Sequence, residues 1–96
     1  MSELVKETRF LAFHHEGPSD SGKTDRYTVR SRSAGNILGR IAWYGPWRCY
    51  TVDFMEDCTF NDACLRDIAA FLSGLTAAQR DHRALPAPGR ERGEGA

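Results

Sequence analysis

Long apolar runs, paired cysteines and a surplus of charge of either sign are all missing from this chain, and each absence narrows what it does. No stretch approaches the ~20 apolar residues that a bilayer-crossing helix needs. The first nine residues, Met-Ser-Glu-Leu-Val-Lys-Glu-Thr-Arg, lack the apolar core of a signal peptide. A cytoplasmic protein with no membrane partner is the expectation. The 13 basic and 13 acidic side chains cancel, which speaks against a domain that grips nucleic acid with its whole surface. Three cysteines do not make an even disulfide framework. None of Cys49, Cys58 and Cys64 stands in a Cys-x-x-Cys pair, and His14-His15 lie far off in sequence, so zinc-ligand spacing is absent. No internal repeat is evident.

Length adds a further limit. Ninety-six residues suit one domain. Residues Ala87 to Ala96 include no large apolar side chain and read as a disordered tail, so residues 1–86 are expected to hold a single domain. Roughly 80 residues build only a modest core, with little volume left for a deep catalytic cleft. The charge that cancels overall is unevenly spread. Residues 21–50 carry six basic and one acidic side chain, whereas residues 51–75 carry five acidic and one basic. A basic middle runs into an acidic stretch.

Several segments alternate as strands do. Thr8 to His15 suits a first strand, and Gly17 to Lys23 is loop chemistry throughout. Asp25 to Arg32 places Tyr27 and Val29 on one side and Arg26, Thr28, Arg30 and Arg32 on the other. Ser33-Ala34-Gly35-Asn36 is a turn. From Ile37 to Phe54, two β-rich runs flank Gly45-Pro46, which suits a two-residue type II′ hairpin loop. That loop would pair Tyr44 with Trp47, Trp43 with Arg48, Ile41 with Tyr50, Gly39 with Val52 and Ile37 with Phe54. One face then carries Ile37, Ile41, Trp43, Tyr50, Val52 and Phe54, with Arg48 stacking on Trp43 at its rim. The other carries Leu38, Arg40, Ala42, Tyr44, Trp47, Cys49, Thr51 and Asp53. A slip by one residue would scatter the apolar set.

Thr59 with Asp62 resembles a helix capping box. Leu65, Ile68, Ala69, Leu72 and Leu75 follow it at helical spacing, and Gly74 suits a stop. Thr76-Ala77-Ala78-Gln79 reads as a second capping box, opening a short helix that ends before Pro86. The expected fold is α+β: a three- or four-stranded antiparallel sheet packed on one main α-helix, with a short second helix.

The sheet face away from that helix holds the residues of most chemical interest. Arg26, Arg30, Arg32, Arg40, Tyr44 and Trp47 interleave guanidinium groups with aromatic rings, as phosphate contacts and stacking require. The plainer reading is a solvated face whose arginines give solubility and whose Tyr44–Trp47 pair clasps the hairpin end. Asp53, Glu56, Asp57, Asp62 and Asp67 either complement the helix dipole or form a second contact patch for a basic partner. Cys64, near the helix start, reads as a small core residue. Gly17, Gly22, Lys23 and Thr24 satisfy the spacing of a phosphate-binding P-loop. A P-loop must lead from a strand into a helix, whereas residues 25–32 read as a strand, so the match is read as accidental.

The run Ile37-Leu-Gly-Arg-Ile-Ala-Trp-Tyr-Gly-Pro-Trp-Arg-Cys-Tyr precedes Thr59-Phe-Asn-Asp-Ala-Cys-Leu-Arg-Asp-Ile-Ala-Ala-Phe-Leu. Together these resemble a group of short phage and prophage accessory proteins. The group's pattern is a Leu-Gly strand, a Trp…Trp-Arg-x-Tyr hairpin and a helix beginning near Cys-Leu-x-Asp-Ile. The likeness covers about residues 23–75, with Asp53-Phe54-Met55 here where the group has a Phe-Phe-Pro-like run. It carries no known activity, so no functional residues transfer. What it implies is context: such proteins act by binding host machinery, defence complexes such as CRISPR effectors included.

The expectation is therefore a non-catalytic accessory protein of the host cytoplasm, without metal or cofactor, that binds and modulates a host protein complex. An anti-defence inhibitor is its sharpest form, and the alternative is a DNA- or RNA-binding module using the same Arg/aromatic face.

Overall fold

Alternation of side chains builds the sheet. In the computed structural model, which describes residues 2–84, five strands form one antiparallel meander in the order β1-β2-β3-β4-β5. They are β1 (Glu3–Glu7), β2 (Leu11–Pro18), β3 (Asp25–Ser31), β4 (Ile37–Tyr44) and β5 (Cys49–Phe54), followed by a single helix α1 (Asp62–Ala84). Leu11 and Phe13 on β2, Val29 on β3, Ile41 on β4 and Tyr50 on β5 point to one side and are buried against Cys64 and Ile68 of α1. Tyr27, Leu38, Trp43, Val52, Phe60, Phe71, Leu72 and Leu75 pack around them. The architecture is α+β, as expected; strand and helix counts differ. The expected tail at 87–96 lies outside the described residues.

The first strand is two strands. Thr8 to His15 does not run through: the chain turns at Thr8–Phe10, where the Thr8 N–H donates to the Leu11 carbonyl (2.9 Å). Every residue of β1 is exposed, so the strand lacks the buried alternating face from which a strand is read in sequence.

The β4–β5 hairpin keeps its faces but not its pairing. Gly45-Pro46-Trp47 forms a 3₁₀ turn, and Arg48 closes it in the left-handed region (φ 55°), its N–H shared between the Tyr44 carbonyl (2.9 Å) and the Gly45 carbonyl (3.1 Å). Four loop residues replace the expected two. Tyr44 pairs with Cys49, Trp43 with Tyr50, Ile41 with Val52 and Gly39 with Phe54. Because the shift is by two residues and side chains alternate with period two, the strand residues from Gly39 to Tyr44 and from Cys49 to Phe54 keep their faces. Trp47 and Arg48 leave the ladder for the turn. A bulge between Val29 and Arg30 changes the strand start: Ile37 pairs with Arg30 and Leu38 packs on the core, the reverse of the expected assignment.

Gly39 is buried where strands crowd: a Cβ there would meet Val52 Cγ2 at 3.1 Å, Asp53 O at 3.2 Å and Val29 Cγ1 at 3.2 Å. α1 is one continuous 23-residue helix, with no break at Gly74 and no second helix among the described residues. Its cap is Asn61, whose Oδ1 accepts from the Cys64 N–H (2.8 Å), so the expected Thr59–Asp62 box is displaced. The inward stripe is Cys64, Ile68, Phe71, Leu72 and Leu75, whereas Leu65 and Ala69 are exposed.

Tertiary contacts hold the helix past Gly74. Thr76 Oγ1 accepts from the Tyr50 N–H (2.9 Å), Gln79 donates to the Lys23 carbonyl (3.3 Å) and Arg80 to the Arg48 carbonyl (3.0 Å). A mid-helix glycine costs only about 1 kcal/mol relative to alanine, a cost that such contacts offset.

Two substitutions check this arrangement by urea denaturation. Gly74→Ala, with open space around the added methyl, should stabilise the fold by about 0.5–1 kcal/mol. A helix that stopped at a left-handed Gly74 would be destabilised instead. Gly39→Ala should destabilise by about 1–3 kcal/mol through overpacking.

Candidate functional site

The uncovered side of the sheet is set by the same alternation. Register alone aligns Leu4, His14, Thr28, Arg40 and Asp53 across all five strands. Beside that row stand Arg26 and Arg30 on β3, Ala42 and Tyr44 on β4, and Cys49 and Thr51 on β5. Among the described residues no helix lies over this side.

The expected contact residues do not share one environment. Arg30 is held within the sheet: its Nη2 donates to Glu16 Oε2 (2.9 Å) and to Ser2 Oγ (3.3 Å), and its Nε to Thr28 Oγ1 (3.1 Å). Both Arg30 and Glu16 side chains are about three-quarters buried, at 25% and 24% exposure. Glu16 lies two residues beyond His14 and shares its side of the sheet, at the bulge between His15 and Gly17. The Glu16 carboxyl is held below its ordinary value, chiefly by the hydrogen bond from Thr28 (2.6 Å); burial opposes this and Arg30 adds to it.

Arg32 sits past the end of β3, where its Nη1 donates to the Thr8 carbonyl (3.3 Å) and its Nε faces Glu7 (3.8 Å). An eight-residue β4 spans ~25 Å, which separates Arg32 from the turn that carries Trp47.

Arg26, Tyr44 and Trp47 lie toward the β4–β5 turn, whereas Arg40 stands mid-strand and reaches toward Met55, past the other end of β5. Arg26 pairs with the exposed Asp20 at 2.7 Å. Arg40 has no carboxylate within 4.0 Å among the described residues, and its guanidinium donates to Met55 Sδ at 3.9 Å. Trp47 is 70% exposed and meets Tyr44 edge to face, ring centroids 5.0 Å apart. The turn beneath it is tied down through Arg80 and Arg48, so an exposed indole is presented on a fixed support.

The remaining chemical candidates are engaged elsewhere. Gly17 to Thr24 joins two antiparallel strands rather than a strand and a helix. Its N–H groups are used within the loop, Ser19 to the Thr24 carbonyl (2.8 Å) and Gly22 to the Ser19 carbonyl (2.9 Å), so they form no phosphate cradle. His14 Nδ1 meets Ser2 Oγ (2.9 Å), and His15 Nε2 meets Asp25 Oδ1 (3.0 Å). Tyr27 and Tyr50 have raised phenol pKa values, caused first by burial, and stay neutral. Cys49, Cys58 and Cys64 are free thiols, with Cys64 buried in the core. Among the described residues no three His, Cys, Asp or Glu side chains converge as metal ligands, and no helix is long and apolar enough to cross a membrane.

Comparison with known proteins places the chain beside a phage protein. An uncharacterized 9.3 kDa protein of Acholeplasma phage L2 is 31% identical over 72 residues, covering 74% of this chain and 90% of the phage protein. No family model matches the chain, and no solved structure matches it.

The Glu16 network gives an acid-sensitive stability. A carboxyl whose folded pKa lies below its ordinary 4.5 contributes stability above that value and loses it as pH falls through the folded pKa. Glu16→Gln should therefore cost about 1–2 kcal/mol at pH 7 and flatten the loss of stability below pH 4.5, read from urea midpoints at pH 7 and at pH 3.

Proposed function

This chain belongs to the same family as the 9.3 kDa protein of Acholeplasma phage L2, and we propose that it is a non-catalytic phage protein that binds a host protein through the Trp47 corner of its sheet. The observation that carries this reading is the Trp47 indole, 70% exposed and braced by Tyr44 on an anchored turn. Exposing a large aromatic ring to water is unfavourable, and fixing it in place removes an entropy cost that binding would otherwise meet. Tryptophan, tyrosine and arginine are also the residues in which interface energy concentrates. Tyr44 and Arg26 adjoin it, and the unpaired Arg40 extends the surface along β4 toward Met55. Modulation of a host complex in the host cytoplasm follows from this reading, with inhibition of a defence complex as its sharpest form.

Direct nucleic-acid binding by the same face has weaker support. Of the four arginines expected there, Arg32 lies past the strand end, and Arg26 and Arg30 each pair closely with a carboxylate, which cancels much of the positive potential that phosphates need.

Tagged wild type, Trp47→Ala, Arg40→Glu and Arg66→Ala, the last on the exposed helix, are compared for capture from nuclease-treated host lysate. The expected result is one protein partner held by wild type and Arg66→Ala. Its capture falls about tenfold or more with Trp47→Ala and with Arg40→Glu. Equal capture by all four variants, or loss of the partner on nuclease treatment, sinks the reading. Melting curves should show Trp47→Ala folded, since the ring contributes little to the core.

A further inference from the structure

Arg32, remote from the Trp47 corner, has company of its own. The β1–β2 and β3–β4 turns lie side by side, joined where the Arg32 N–H donates to the Phe10 carbonyl (3.0 Å) and Arg32 Nη1 to the Thr8 carbonyl (3.3 Å). A cleft of about 330 Å³ opens there, lined by Arg9, Phe10, Arg32 and Ser33. Its size is at the lower end of small-ligand sites.

The donors in this cleft are only partly used. Arg9 has no carboxylate within 4.0 Å among the described residues; its guanidinium carbon lies 5.2 Å from the Phe10 ring centroid. Arg32 faces Glu7 at 3.8 Å, too long for a hydrogen bond, and its Nη2 has no hydrogen-bond partner among the described residues. Phe10 is 43% exposed.

We propose that this cleft binds a phosphate-bearing small ligand, its phosphoryl oxygens taken by Arg9 and Arg32 with the Ser33 hydroxyl, and its organic part lying against Phe10. Two guanidinium groups and a hydroxyl offer more donors than the two oxygens of one carboxylate can accept, whereas a phosphate monoester has three terminal oxygens. Glu7 competes for Arg32, which limits affinity and makes Arg9 the stronger contact. The backbone link between the two turns fixes the spacing of the main chain that carries Arg9 and Arg32 before any ligand arrives. This site is independent of the Trp47 corner.

Titration of ¹⁵N-labelled protein, followed by amide NMR shifts, tests the proposal. The probes are inorganic phosphate and adenosine monophosphate, against acetate and sodium chloride at matched ionic strength. Saturable shifts confined to Arg9, Phe10, Arg32 and Ser33 with both phosphates, and not with acetate or chloride, support the site. Arg9→Ala and Arg32→Gln should each weaken binding about fivefold or more, and Trp47→Ala should leave it unchanged. Tighter binding of the nucleotide supports the Phe10 contact, and equal affinities overturn that part of the proposal. Shifts that fail to saturate, that acetate or chloride reproduces, or that survive Arg9→Ala overturn the proposal; Arg9, exposed and outside the core, is a change the fold tolerates.

Discussion

Phe13 stacks on Phe71 with ring centroids 4.3 Å apart, and this contact ties the only helix among the described residues to the middle of the sheet. Phe13 is fully buried, so its strand partner Val29 and the neighbouring Tyr27, which meets Phe71 edge on, must share its side. Most other side-chain directions then follow from strand alternation, with bulges resetting it on β1, on β2 and where β3 meets β4. One helix covers one side of five strands, and the opposite side is left with the polar residues of β2 to β5.

That uncovered side shows how little a list of like charges says about binding. Four arginines and two aromatics share the relevant segments, yet each meets a different fate. Glu16 draws Arg30 into a part-buried network with Thr28 and Ser2, where it stabilises the sheet. Asp20 and Glu7 stand against Arg26 and Arg32. Arg40 alone of the four has no such partner among the described residues, and Trp47 stands beyond the ladder on its own turn. A face that reads as basic in sequence is close to charge-balanced in space.

The hairpin shows where sequence reasoning holds and where it slips. The turn residues Gly45 and Pro46 suit a two-residue loop, but Arg48 in a left-handed conformation extends it to four. The resulting shift of two residues leaves the apolar face intact, because burial constrains the parity of a register and not its value. Only Ile37 and Leu38, at the bulge, exchange sides. The helix slipped differently. Leu65 and Ala69 fit the apolar spacing as well as Cys64 and Phe71 do, and only the placement of Phe13 and Tyr50 selects between the two stripes. β1 was not legible, since all five of its side chains are exposed. The Arg9–Arg32 cleft was not legible either, because 22 positions separate residues that meet only when two turns pack together.

By itself the sequence determined the class of the fold, the faces of the central strands and the exposure of the Tyr44–Trp47 pair. All three follow from local chemistry: alternation, turn residues and helical spacing act over a few residues. Tertiary structure decided the number of strands, the continuity of α1 through Gly74, and which arginines keep an unshared charge. Those outcomes depend on groups far apart in the chain, Thr76 with Tyr50, Glu16 with Arg30, Arg80 with Arg48. Their free energies exist only after the sheet and helix have brought them within hydrogen-bonding distance.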